Sequence, residues 1–339
     1  MSIDLRSVLG ELSLHRQRRN DDAMEVALMT LVAFFEDAAV GTWLRDRIHS
    51  LAVKDPARVI ILDGTASQAM RHVGGACDRH ENCFKTRGEW IELGVQGSQP
   101  AALQSAVSSL SLPQTPIVLI WASAQIGRDA RFASISPNVR TVVYNSSALG
   151  NDESGLCELI AFAHAHPDVS ICDLAYLRLT PWQESIALFF DGKNVIRELF
   201  DLRQVEIASG SEAEAYYLLG WLASRLEWTA CGPDRFCNRF GTEIQFTIAH
   251  DGLPRRIRRV ALHSSQTQFV AELAAGKAEV IALKVTGAAQ QGDRYHPVNN
   301  LDTASLIERA ILTGHDDRIF HDTLRAASDI LSHTERDDR

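Results

Sequence analysis

The chain has 339 residues, 45% of them hydrophobic, and a formal net charge of −9. That charge argues against a general nucleic-acid binder, which needs excess positive charge to meet phosphates. No run of about 18 apolar residues exists, which argues against a membrane span.

At roughly 100–200 residues per domain, the length points to two domains with sizeable cores. The opening MSIDLRSVLGELSLHRQRRNDD has early charges and no apolar signal core, so a cytoplasmic setting is expected. Cys77, Cys83, Cys157, Cys172, Cys231 and Cys237 are too sparse for a disulfide scaffold, and reduced thiols are expected.

Residues 1–24 read as a polar, partly helical lead-in, and residues 25–148 as an N-terminal α/β domain with a central sheet. In it, VALMTLVAFFE, ARVIILD, PIVLIWAS and NVRTVVYNSS read as strands, the last closing the series. ENCFKTRGEWIELGV reads as two strands joined at Arg87-Gly88, and AAVGTWLRDRIHSLAV and PAALQSAVSSLSL as helices. A small polar loop, SSALGNDESG, marks the boundary.

Residues 149–331 read as an α+β domain, helices packed on a mainly antiparallel sheet, before a flexible tail over 332–339. GLCELIAFAHAHPDV is helical as far as the residue before Pro167. SEAEAYYLLGWLASRLEW is the clearest helix: Ser211 and Glu214 form a capping box, and Ala215, Leu218, Leu219, Leu222 and Leu226 recur at helical spacing. GTEIQFTIAHD, RRIRRVALHS, TQFVAELAA and AEVIALKVTG read as an antiparallel meander. SLIERAILTG and DRIFHDTLRAASDIL return to helix.

Standard catalytic signatures are missing. There is no G-x-x-x-x-G-K-[ST], no G-x-G-x-x-G after a strand, no G-x-S-x-G and no H-E-x-x-H. His72, Cys77, His80 and Cys83 lack the close C-x2-4-C spacing of structural zinc sites, so no metal is expected. Cys231 and Cys237 read as unrelated thiols on two sides of a turn, with a regulatory disulfide as the alternative. Arg255, Arg256, Arg258 and Arg259 suit either an acidic or phosphorylated partner or a charged sheet edge. Strand alternation puts Arg256 and Arg258 on one face and Arg255, Ile257 and Arg259 on the other.

The stretch DLAYLRLTPWQESIALFFD gathers the remaining candidates. Thr180, Pro181 and Gln183 read as N-cap, N1 and N3 of a helix, with Glu184 in its first turn. Trp182, Ile186 and Phe189 or Phe190 line its apolar face. Arg178, between Leu177 and Leu179, needs a carboxylate or a bound anion, and Glu184 or Asp173 is the nearest supply.

DLAYLRLTPWQESIALFFD and AYYLLGWLASRLEW resemble the signature of the OpcA family, the glucose-6-phosphate dehydrogenase assembly proteins of cyanobacteria and actinobacteria. VALMTLVAFFE, DPARVIILD, GEWIELGV and PIVLIWAS fit the family's order, and SLIERAILTGHDDRIFHDTLRAA its ending. The resemblance covers roughly residues 25–330. Departures are Gln183, where the family more often has arginine, and the single Trp121.

The resemblance implies a non-catalytic factor that binds glucose-6-phosphate dehydrogenase and promotes its active oligomer or activates it allosterically, with no cofactor. Arg178, Trp182, Glu184, Arg225, Arg256 and Arg258 are the candidates for partner or anion contact. The rival reading is a sugar-phosphate sensor or enzyme in which Arg178, Arg225 and the 255–259 cluster grip phosphate.

Overall fold

The computed structural model describes residues 3–18, 27–54, 57–67, 72–75, 88–123, 126–147, 152–192, 195–250, 256–274, 280–289, 291–298, 303–313 and 317–337. Cys77, His80, Cys83, Arg87 and Arg255 lie outside them. The chain forms two compact units, each discontinuous in sequence. The first takes Met1–Asn145, Ala161–Leu174 and Asp302–His315, and the second takes the rest.

In the first unit, α1 (Leu5–Arg18) leads into β1 (Met29–Phe35), α2 (Ala38–Lys54), β2 (Ala57–Asp63), β3 (His72–Gly75) and β4 (Glu89–Gly94). Then come α3 (Pro100–Leu110), β5 (Ile117–Ala122), α4 (Ala130–Ile135) and β6 (Thr141–Tyr144). α5 (Asp152–Ala165), whose residues as far as Ile160 belong to the second unit, precedes β7 (Ser170–Asp173). The strand order is β3-β4-β2-β1-β5-β6-β7, parallel throughout except for β3.

Every residue of β1, β2 and β4 is buried. Helices cover both faces of such a sheet, which is why these strands read as unbroken apolar runs. The first-half series does not close at NVRTVVYNSS: β7 adds another strand, parallel to β6. Four residues next to a helix are too few to show strand periodicity.

The second unit holds α6 (Leu174–Leu177), α7 (Thr180–Phe189), α8 (Ile196–Phe200), β8 (Leu202–Ser209) and α9 (Glu212–Leu226). Next come β9 (Thr229–Gly232), β10 (Arg235–Cys237), β11 (Glu243–Ala249), β12 (Ile257–Ser264), β13 (Thr267–Leu273), β14 (Val280–Gly287) and β15 (Gln291–Pro297). α10 (Thr303–Thr313) packs in the first unit against α2 and β6, and α11 (Arg318–Asp337) in the second against α9.

The second sheet runs β15-β14-β13-β12-β8-β11-β10-β9. All its pairs are antiparallel except β8 with β11. The predicted meander is therefore corrected: β8 inserts between β11 and β12. From Val205 onward β8 alternates, with Val205, Ile207 and Ser209 buried; Leu202 is also buried, beyond a register shift against β12. α9 packs on this strand. At Gly220, α9 meets α11 so closely that an added Cβ would lie 2.5 Å from the Thr323 carbonyl oxygen.

Two local readings are also corrected. Cys231 and Cys237 form a disulfide across the β9–β10 hairpin, their Cα atoms 5.8 Å apart. The Pro233-Asp234 turn, with Asp234 left-handed at φ 52°, folds the chain back tightly enough to bring the two thiols together. Second, the register of β12 against β8 shifts between Ile257 and Arg259, a bulge that breaks the two-face alternation expected for the arginines.

Candidate functional site

Arg178 sits just after α6, and its guanidinium turns towards the start of α9. Its Nε donates to Glu214 Oε1 at 2.8 Å, and its Nη2 donates a short hydrogen bond to the Ser147 hydroxyl. The partner is thus Glu214, 36 residues along the chain, and not the expected Glu184 or Asp173. Glu184 is exposed and faces His296, its carboxylate 3.2 Å from Nε2.

The local sequence explains why Glu214 is available. Ser211 caps α9 by accepting from the Glu214 amide at 3.3 Å, the first half of the expected box. The second half, a return bond from Glu214 to the Ser211 amide, does not form because the Ser209 hydroxyl takes that N–H at 3.0 Å. The freed carboxylate binds Arg178 with one oxygen and accepts from the Ile257 amide at 3.3 Å with the other. Burial raises the Glu214 pKa, against the pull of Arg178 and the Ile257 amide.

The predicted cap at Thr180 does not form. Leu179 already has helical dihedrals, φ −77° and ψ −13°, because α6 runs almost directly into α7. An N-cap needs extended backbone, so the Thr180 hydroxyl instead donates back to the Leu177 carbonyl at 3.1 Å. Trp182, Ile186 and Phe189 are buried, as their spacing predicts.

Of the arginines expected to grip an anion together, Arg225 stands apart from Arg178, while Arg256 adjoins Ile257, whose amide shares Glu214 with Arg178. Arg225 lies 11 residues beyond Glu214 on α9, about 16 Å along the axis at 1.5 Å per residue, and pairs with Asp322 at 2.8 Å. Arg259 pairs with Glu206 at 3.1 Å. Arg256 and Arg258 present exposed side chains. No group of acidic, cysteine and histidine side chains able to hold a metal occurs among the described residues.

A second feature escapes the sequence reading. Phe200 and Phe240 are 49% and 67% exposed, and the Arg239 guanidinium lies over both rings, 5.6 and 4.9 Å from their centroids. With Leu199, Arg225 and Trp228 they line a shallow cavity of about 220 Å³. The signal is present in NRFGT, an aromatic next to arginine in a glycine turn, where burial is not available.

Two family models match the chain. One, for the N-terminal domain of a "Glucose-6-phosphate dehydrogenase subunit", spans residues 48–161. The other, for the C-terminal domain of the same subunit, spans residues 169–324. The chain belongs to the OpcA family. A Synechocystis protein named "Putative OxPP cycle protein OpcA" is 28% identical over 188 residues, 53% of this chain and 39% of its own length. A Nostoc punctiforme protein of the same name is 27% identical over 186 residues, 52% of this chain and 39% of its own length. The chain thus matches well under half the length of these curated relatives.

Solved structures share the fold at low identity. A 3-ketoreductase from Actinomadura kijaniata, in complex with TDP-benzene and NADP, has a TM-score of 0.51 at 13% identity, covering 91% of this chain and 96% of that one. An oxidoreductase from Sinorhizobium meliloti has a TM-score of 0.52 at 13% identity, covering 91% and 98%.

Proposed function

We propose that this OpcA-family chain is a non-catalytic cytoplasmic partner of glucose-6-phosphate dehydrogenase that favours the enzyme's active oligomer. The observation that carries this reading is the pair of family models, both described as domains of a subunit of that dehydrogenase. An allosteric effector acts by binding one state better than another, typically by about 1–3 kcal/mol, or 5–150-fold.

The Phe200–Arg239–Phe240 patch supports a docking role in the second unit. Exposed aromatics around an arginine have the composition of interface hot spots, and the patch falls inside the matched 169–324 region. Arg256 and Arg258 are further candidates for partner contact. A sugar-phosphate site at Arg178 is the weaker reading, because an anion there must displace a buried carboxylate.

The test is size-exclusion chromatography and dehydrogenase kinetics with the cognate enzyme. Co-elution with altered kinetics is expected. Arg239→Ala with Phe240→Ala should weaken the complex at least about tenfold if these are hot-spot contacts. No co-elution and unchanged kinetics with the wild-type chain sink the reading. A melting shift with glucose 6-phosphate alone favours the sensor.

A further inference from the structure

Omitting the antiparallel β3, the first sheet runs β4-β2-β1-β5-β6-β7. This is the doubly wound order whose switch point, outside the carboxyl ends of the first and fourth strands, receives a dinucleotide in domains of this architecture. We infer that in this chain the switch point is rebuilt as a self-contained arginine–carboxylate lock that excludes nicotinamide dinucleotides.

The six residues after β1 are Glu36-Asp37-Ala38-Ala39-Val40-Gly41, in the place of G-x-G-x-x-G. In that motif the last glycine serves close helix–strand packing, and the first two serve the turn and the approach of pyrophosphate. Gly41 keeps the packing role: a Cβ there would lie 2.3 Å from the Phe35 ring. The other two glycine positions hold Glu36 and Ala38.

The backbone donors that would meet pyrophosphate are taken. Asp37 Oδ1 accepts from the Ala39 and Val40 amides at 2.8 and 2.9 Å. A carboxylate already occupies the anion site at the start of α2. Glu36 spans the switch point itself, accepting from the Ser123 hydroxyl just beyond β5 at 2.7 Å and pairing with Arg131 at 2.7 Å. Arg131 in turn holds Asp129 and covers the Phe34 ring.

The ribose position is also retained and also occupied. Asp63 ends β2, 22 residues after Gly41, where an acidic residue binds the ribose hydroxyl in this architecture. Here Asp63 is 1% exposed, accepts from both the amide and the hydroxyl of Thr65, and binds Arg45 Nη2 at 2.6 Å. The same nitrogen binds Glu92 at 2.6 Å, and the guanidinium lies over Phe35. These side chains bring together five carboxylates: Arg45 partners Asp63 and Glu92, Arg131 partners Glu36 and Asp129, and Asp37 is held by backbone amides. A pyrophosphate arriving there meets repulsion and amides already engaged.

The packing half of the dinucleotide site thus survives, while its ligand half is turned inward to hold β1, β2, β4 and α2 together. This inference does not depend on the dehydrogenase reading, since co-elution with the enzyme leaves it unaffected. The experiment is titration of the full chain alone with NADP+, NADPH, NAD+ and NADH to about 1 mM, a range that detects affinities near −4 kcal/mol, read by reduced-cofactor fluorescence and melting temperature. No saturable signal and no melting shift are expected. In parallel, Arg45→Met should lower the melting temperature by several degrees, because the lock is structural. Saturable binding of any of the four nucleotides overturns the proposal, and so does an Arg45→Met variant that melts like the wild type.

Discussion

Arg45 in the first unit and Arg178 in the second each bind a buried carboxylate, and the two centres are built on opposite principles. In the first unit Arg45 serves two acids, Asp63 and Glu92, and further donors from Thr65 support Asp63. Burial pushes Asp63 up, but the Thr65 and Arg45 bonds together bring its pKa below the ordinary value. In the second unit Arg178 binds Glu214, and burial prevails there, leaving that pKa raised. The two arginine side chains are equally accessible, 17% in each case. Both carboxylates are nearly inaccessible, 1% and 3%, so the direction follows the donors each receives: Asp63 has the Thr65 amide and hydroxyl besides Arg45, whereas Glu214 has Arg178 and one amide.

The comparison can be broken most sharply at Glu214. Replacing it with alanine takes from Arg178 the carboxylate that its Nε binds, and the guanidinium cannot shed its charge. Removing one member of a buried pair costs about 3–5 kcal/mol. Arg178→Met should cost less at neutral pH, because Glu214 can neutralise itself by keeping a proton. Urea unfolding with an unchanged m-value measures both. Equal losses, or a larger loss for Arg178→Met, refute the account of Glu214 as the replaceable charge.

Next in size are the two close-packed glycines. An exposed helical glycine gains up to about 1 kcal/mol on conversion to alanine. Gly220→Ala should instead lose about 1–3 kcal/mol through overpacking, because its Cβ would meet the Thr323 carbonyl and the Ala327 backbone nitrogen. At Gly41 the atoms nearest to an added Cβ all belong to the Phe35 side chain. That ring is pinned by Arg45, so the loss should shrink in an Arg45→Met background while the Gly220 loss stays constant. Additive losses at Gly41 and Arg45 count against the coupling.

Some of these features are legible in the sequence and others are hidden for physical reasons. β1, β2 and β5 can be read because their central residues are buried on both faces and apolarity alone marks them. β15, QGDRYHP, cannot, because an edge strand needs little apolar content. The place of β8 between β11 and β12 depends on pairings across 40 to 60 residues that no local pattern encodes. Arg178 stands out as needing a buried partner, since charge between two leucines is costly wherever it folds. Its partner escapes because spacing rules see one helical turn, and a capping box already accounts for Glu214.

Acidification sharpens the contrast by sign. Asp63 has a depressed pKa, so its contribution is present above the unfolded carboxylate value, about 3.9, and is lost as pH falls through the folded one. Glu214 has a raised pKa, so its contribution is present below the unfolded value, about 4.3, and is lost as pH rises through the folded one. Lowering the pH from neutrality should therefore loosen β2 and β4 before the first turn of α9. Hydrogen exchange mapped to peptides at each pH reads this directly, and earlier loss at α9 contradicts it.

The smallest effect belongs to Arg225. Its bond to Asp322 is as short as that of Arg178 to Glu214, both 2.8 Å, yet the two partners are 37% and 44% exposed. Solvent screens such a pair and side-chain entropy opposes it, leaving about 0–1 kcal/mol. Arg225→Ala should thus move the urea midpoint barely at all, whereas Glu214→Ala, breaking a bond of the same length, should move it by several times as much. If the two losses match, burial is not what sets the worth of a pair of this length, and the account of Glu214 as a buried, indispensable partner of Arg178 fails.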